Sequence, residues 1–274
     1  MITQVTQRWR AGRARYRPAG EPIRTRDYEV AEIADDTTAR RFIEAQHYSG
    51  TYPAAKERFG LYRRGALVGV AVFSVPCNGA TLTKVFPHEA LDSLVELGRF
   101  TLLDLVESNG ETWFKARCRE VLKRAGYVGI VSFSDDVART DTAGRQIFCG
   151  HLGTIYQASN ATFLGRGTAR TLKLLPDGRV FSDRAAQKVR AGEQGWRYAA
   201  KQLEAFGASP APEDSDERRA WLKHWTPILT RPLRHPGNLK YAWSLDRAVQ
   251  LPPSLPYPKI KAGDKQPDLF RLCA

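Results

Sequence analysis

Apolar and polar positions along this chain fall into blocks of two kinds. Between Tyr28 and Leu174, alternating or continuous β-branched runs exchange with runs at helical spacing, a pattern that predicts an α/β fold. Asp35 and Asp36 suit a helix N-cap, and Ala39, Phe42, Ile43 and Gln46 follow at helical spacing until Gly50 stops the run. Phe59 to Tyr62 and Ala66 to Val75 read as two strands joined at Arg64-Gly65, the segment FGLYRRGALVGVAVFSV being a strong hairpin signal. Leu94 to Leu103 is a further strand. After the break Ser108-Asn109-Gly110, residues 111–124 place Trp113, Phe114, Cys118, Val121 and Leu122 on one face of a helix that Gly126 ends. Tyr127 to Phe133 reads as a buried strand. Strand, Asn-Gly turn, helix and strand make a βαβ unit, so the sheet is at least partly parallel.

Beyond Asp136 the pattern weakens. Thr154 to Ala158 and Ala169 to Leu174 read as strands, separated by the turn-rich Asn160 to Gly167. Residues 183–206 are basic and helical in composition, broken by Gly192 and Gly195, and residues 208–219 read as a polar linker. The tail carries Trp221, Trp225, Trp243 and many prolines and ends in an extended Pro/Lys-rich stretch. Residues 1–26 hold seven Arg and one acidic residue, too polar to pack, and read as a flexible arm. The predicted organisation is therefore a basic arm over 1–26, a catalytic domain over 27–175, and a basic helical extension with a Pro-rich tail over 176–274.

Composition adds a partner. With 42 Lys and Arg against 29 Asp and Glu among 274 residues, the formal charge is +13, which favours a polyanion such as nucleic acid. No apolar run approaches membrane-spanning length, and MITQVTQRWRAGRARYR lacks the core of a signal peptide, so the chain reads as a soluble intracellular protein. Cys77, Cys118, Cys149 and Cys273 form no knuckle, and His47, His88, His151, His224 and His235 form no helical ligand pair, so no local metal site is predicted.

Three stretches carry candidate chemistry. Asn109, Gly110, Glu111 and Thr112 sit where a helix start would offer amides to an anion, or where an ordinary capped helix would begin. Asp135 and Asp136 stand at the carboxyl end of a strand, where ligands of open α/β sheets bind and where a carboxylate accepts a proton from an amine. His47 and Tyr48 end a helix, and GHLGTIYQASNATFLGRG brings His151, Tyr156, Gln157 and Asn160 into a run whose polar groups all need partners.

The stretch His47-Tyr48-Ser49, ELGRF at 96–100, NGETWF at 109–114, SFSDD at 132–136 and above all GTIYQASNATFLGRG at 153–167 resemble the Mom family of phage DNA-modification proteins, divergent members of the GNAT acyltransferase fold. The resemblance covers roughly residues 37–175. It implies a GNAT-like mixed, partly parallel sheet flanked by helices, with an acyl-CoA-type donor in a wedge between the fourth and fifth strands. Leu97, Gly98, Arg99 and Phe100 would lie on the fourth strand, and Asn109, Gly110, Thr112 and Trp113 on the turn cradling a pyrophosphate, although the Q/R-x-x-G-x-G/A loop of ordinary GNAT proteins is missing. The implied activity is transfer of a carbamoylmethyl-type group to the exocyclic N6 amine of adenine in duplex DNA, shielding phage DNA from restriction in the host cytoplasm. Asp135 would be the base, with His47, Tyr48 and Tyr156 beside it. Gln157 and Asn160 would read the base edge, and Arg166, Arg170, Lys173, Arg179, Arg184, Lys188, Arg190 and Arg197 would contact phosphates. The competing readings are an ordinary GNAT N-acyltransferase acting on a small amine, a protein or aminoacyl-tRNA, and a non-catalytic DNA-binding protein.

Overall fold

A computed structural model describes residues 5–76 and 78–259, so Cys77 and Cys273 lie outside the described residues, as does the end of the Pro/Lys-rich tail. In chain order the elements are β1 (Val5–Arg10), β2 (Arg13–Pro18), β3 (Tyr28–Glu32), α1 (Asp36–Gln46), β4 (Ala55–Arg63), β5 (Ala66–Ser74), α2 (Ala80–Thr83), β6 (Leu94–Leu102), α3 (Gly110–Arg124) and β7 (Gly129–Ser134). There follow β8 (Arg139–Thr140), β9 (Gln146–Phe148), α4 (Thr154–Gln157), β10 (Thr162–Arg166), β11 (Arg170–Leu174), α5 (Asp183–Ala191), α6 (Trp196–Glu204), α7 (Ser215–Leu229), β12 (Arg231–His235) and β13 (Leu239–Ser244). Two compact units result: the first holds residues 5–136, 151–167 and 238–259, the second 137–150 and 168–237.

The first unit is built on a seven-stranded sheet ordered β10-β13-β7-β6-β5-β4-β3. Among the described residues β6 and β7 are its parallel pair, with α3 as the crossover, and the other pairings are antiparallel. Strand β5 is buried on both faces: Val70 and Val72 meet Ala39 and Ile43 of α1, while Ala71 and Phe73 join the cluster that takes Phe114, Cys118 and Leu122 of α3. Asp35 caps α1 by accepting from Thr38 N at 2.9 Å. The sheet is mixed and lined by helices, as the periodicity predicts.

The second unit buries Leu175, Phe181, Val189, Leu203, Trp221 and Leu222 among α5, α6 and α7. Ser182 caps α5 through Ala185 N, and Gly192 ends it at φ +66, where a side chain would also meet Arg218. Arg218 is buried and holds three segments together, donating to Val189 O and Glu213 O and lying 4.7 Å from the Trp196 ring.

Four segments differ from expectation. Residues 5–18 form the β1–β2 hairpin rather than an arm: Ala11 (φ 49) and Gly12 (φ 72) make a two-residue left-handed turn, and Arg8 and Trp9 are buried. Thr154 to Gln157 is one helical turn started by Gly153 at φ 69, not a strand; the strand is β10, inside the stretch read as turns. The linker stops at Asp214, whose carboxylate caps α7 through Asp216 N and Glu217 N, so residues 215–219 are helical. Strand β13 adds to the main sheet between β7 and β10, so the tail is not one extension: its apolar Leu239, Tyr241, Ala242 and Trp243 complete the first unit's core.

Candidate functional site

The site begins where the parallel ladder ends. β6 and β7 pair from Leu94↔Gly129 to Leu97↔Ser132 and then part, while β6 runs on to Leu102. Ser132 Oγ donates to Leu97 O at 2.9 Å, pinning the last rung. On the other side of β6, Val72 pairs with Arg99 and Phe73 with Leu97, so Gly98 is an extra residue. Such a bulge bends a strand and re-aims the side chains that follow. A Cβ at Gly98 would lie 2.4 Å from Ser74 Oγ, so a larger residue there would have to displace that hydroxyl.

Polar groups gather around this opening. Arg99, re-aimed by the bulge, donates from Nε to Thr51 O (2.9 Å) and from its terminal nitrogens to Thr51 Oγ1 (2.7 Å) and Gly98 O (2.6 Å). The chain leaving α1 delivers His47 and Tyr48. His47 Nδ1 accepts from Ser49 N at 3.1 Å and lies 2.9 Å from Ser49 Oγ. Accepting a backbone N–H leaves Nδ1 without a proton, so the neutral ring carries its proton on Nε2. Burial, then Arg99 and His151, hold this histidine well below the usual imidazole range and therefore neutral. The Tyr48 ring lies 4.2 Å from His47, 4.6 Å from Trp9 and 5.8 Å from His151 between centroids. His151 N donates to Asp135 O at 2.8 Å, which ties the loop after β7 to the segment leading into α4.

Tyr156 projects from α4 into the core at 6% exposure, packed on Tyr241 and Trp243. Burial raises its phenol well above the ordinary value, so it serves as a neutral hydrogen-bonding group. Two residues absent from the sequence-derived set complete the surroundings. Glu96, on β6, is partly buried, and that burial raises its carboxyl while Arg99 pulls it down. Lys115, on α3, is buried at 3% exposure with its amine between the rings of Phe100 (5.7 Å) and Tyr156 (5.5 Å), donating to Ile155 O and to Ser159 Oγ at 3.0 Å. Burial, then Arg119, pushes that amine well below the usual lysine range. A small cavity beside it is lined by Phe73, Leu97, Arg119, Ile130 and Trp243. Each carried a signal: Glu96 is a charge in an apolar strand, and Lys115 shares the buried stripe of α3 with Glu111, Cys118 and Leu122.

The structure thus brings His47, Tyr48, Arg99, His151 and Tyr156 near one another, joins Asp135 to them through its backbone carbonyl, and buries Leu97 and Phe100 in the core. Other predicted residues have structural employment. Gln157 is buried, its amide donating to Leu152 O and Tyr241 Oη, which turns it away from base reading. Asn160 occupies a left-handed position at φ 59 and is exposed. Asn109 Oδ1 accepts from Ile23 N at 2.6 Å, and Gly110 is buried; Thr112 and Trp113 follow in the first turn of α3. Arg166 is held in two bonds by Asp136. In the second unit Lys173 pairs with Asp183, Arg179 with Asp177, Arg184 with Glu193 and Arg197 with Glu213, while Lys188 and Arg190 pair with no carboxylate among the described residues; Arg170 lies on β11. Among the described residues no group of three His, Cys, Asp or Glu could hold a metal ion, and no helix is long and apolar enough to cross a membrane.

Against this geometry stand the comparisons. The sequence model of the Mom protein family matches residues 27–212. No curated protein matches the chain. Among solved structures, a tandem GNAT protein from the clavulanic acid biosynthesis pathway, solved without acetyl-CoA, aligns with a TM-score of 0.41 at 10% identity, over 80% of this chain and 99% of its own. An N-acetyltransferase from Staphylococcus aureus Mu50 aligns with a TM-score of 0.26 at 12% identity, over 69% of this chain and 68% of its own.

Proposed function

The chain belongs to the Mom protein family, and from that premise we propose that it is a DNA-modifying transferase acting on the N6 amine of adenine at the opening between β6 and β7. The observation that carries this reading is the convergence of Tyr48, Arg99, Asp135, His151 and Tyr156, from four separate segments, on the point where the parallel strands part.

The chemistry assigns the roles. The adenine amine donates its lone pair to the ring and is a weak nucleophile, so the site must position it and take its proton as the new nitrogen–carbon bond forms. Asp135 is the proton acceptor, at the end of β7, with Glu96 the other carboxyl within the same surroundings. His47, neutral with its proton on Nε2, donates a hydrogen bond rather than accepting a proton. An adenine inside a duplex is shielded by stacking, so it is extruded to reach the opening. Lys188 and Arg190 supply phosphate contacts. A carbamoylmethyl adduct joins N6 to a methylene carbon, so the donor presents a saturated carbon with a leaving group, a demand that attack on a simple acyl carbonyl does not meet.

The experiment is nucleoside mass spectrometry of plasmid DNA from cells expressing the chain. A new adenine adduct is expected. Good expression with an unmodified adenine pool refutes the reading.

A further inference from the structure

A carrier such as coenzyme A is held chiefly by its diphosphate. A diphosphate at a strand–helix turn needs free amides, open space and uncompensated positive charge. The β6–α3 turn, residues 103–110, is the place the GNAT-like reading assigns to it, and there the chain's own atoms take up amides of the turn, the space beside them and the positive charge.

The amides and their surroundings are taken first. Within the turn, Leu103 N donates to Val68 O, Val106 N to Leu103 O, Asn109 N to Glu21 O and Gly110 N to Glu107 O, while Ile23 N donates to Asn109 Oδ1 at 2.6 Å and Glu21 N to Ser108 Oγ at 2.8 Å, so the segment 21–23 is bonded against the turn. Space is lacking as well: an added Cβ on Gly110 would lie 2.5 Å from Val106 Cγ1, with Leu102 and Ile23 close behind. The charge is already used. Glu111 puts a buried carboxylate in the first turn of α3, paired with the buried Arg8, which also donates to Val106 O (3.1 Å) and Glu107 O (2.9 Å). Arg17 donates to Asp104 O and grips Glu21 through two bonds of 2.8 Å. Asp104, Glu107 and Glu111 together make this turn acidic, and the arginines facing it neutralise those acids rather than leaving a surplus for phosphate.

The same hairpin closes the other side. Gly12 N donates to Gln46 O at 3.1 Å and Ala11 N to Gln46 Oε1 at 3.0 Å, at the end of α1, and Trp9 lies on Tyr48. The β1–β2 hairpin therefore runs from the exit of α1 to the start of α3. On the core side of the opening, Tyr156 and the Lys115 amine occupy the space beside Phe100.

We propose that the donor of the transferred group is a small molecule without a nucleotide diphosphate, and that coenzyme A thioesters are not ligands of this chain. The proposal names the donor for the transfer read above and rests on that reading for its purpose, but its binding test does not. Calorimetric titration of the full chain with coenzyme A and with acetyl-CoA should give no saturable heat up to about 1 mM ligand; saturable binding in the micromolar range overturns the proposal. A second arm uses the low-molecular-weight fraction of expressing cells as donor source for the purified chain acting on DNA. Prior treatment with a nucleotide pyrophosphatase, which cleaves the coenzyme A diphosphate, should leave adenine modification unchanged, and loss of modification overturns the proposal. Should DNA from expressing cells carry no adduct at all, the DNA reading falls, while the coenzyme A titration still decides this one.

Discussion

Arg8 shows how much a single side chain can hide. It is an arginine among seven in a polar N-terminal stretch, yet it is 2% exposed and paired with Glu111 across the fold. Removing one member of a buried pair strands the other charge, so Arg8→Met should cost about 3–5 kcal/mol in urea unfolding, and the double variant Arg8→Met with Glu111→Gln should recover most of it. Equal losses in the single and double variants would contradict the pairing. His47 offers a test in pH. Its folded-state value is lowered below the ordinary 6.5, so its contribution to stability is present above 6.5 and is lost as pH falls, because the unfolded chain takes up the proton first. Between pH 6.5 and 5.5 this residue should remove about 1 kcal/mol, and His47→Gln should flatten that slope; an unchanged slope would show the histidine to be titrating freely. At this scale the pattern of residue types singled out His47, Tyr48, Asp135 and Tyr156 as candidates. It passed over Glu96 and Lys115, because a charged residue in an apolar run is read as solvated until the elements around it are known.

Elements were legible where one periodicity ran long enough. α1, β5, β6, α3 and β7 fall within a few residues of their expected places, since each buries an apolar face at regular spacing. The hairpin β1–β2 was not legible because arginines break the apolar alternation of both its strands, and β10 and β13 were not because they are short and their partners lie far along the chain. The basic helix α5 was expected, and its unpaired cations set a prediction. Lys188→Ala and Arg190→Ala should each weaken DNA binding across sequences and lower the salt slope by about one, while leaving the fold intact; an unaltered slope in fluorescence-anisotropy titrations would remove α5 from the interface. Lys115 ties α3 to α4 through Ile155 O and Ser159 Oγ. Lys115→Met should therefore lower the turnover of adenine modification several-fold by loosening Tyr156, with DNA affinity retained; full turnover would make that tie dispensable.

At the scale of the whole molecule, the chain places a strand opening, a carboxylate and aromatic groups together in one unit and a basic helical unit elsewhere in the sequence. The mixed sheet was foreseeable from the βαβ pattern, whereas the interleaving of the two units was not, because residues 238–259 return to a sheet begun two hundred residues earlier. The central claim is that this opening transfers a group to adenine with Asp135 as proton acceptor. Its most direct measurement compares adenine adducts, by nucleoside mass spectrometry, in DNA from cells expressing the wild-type chain and the Asp135→Ala variant, with DNA affinity measured on both purified proteins. The account predicts an adduct with the wild-type chain, its loss in the variant and similar affinity for both; equal adduct levels in the two would contradict it.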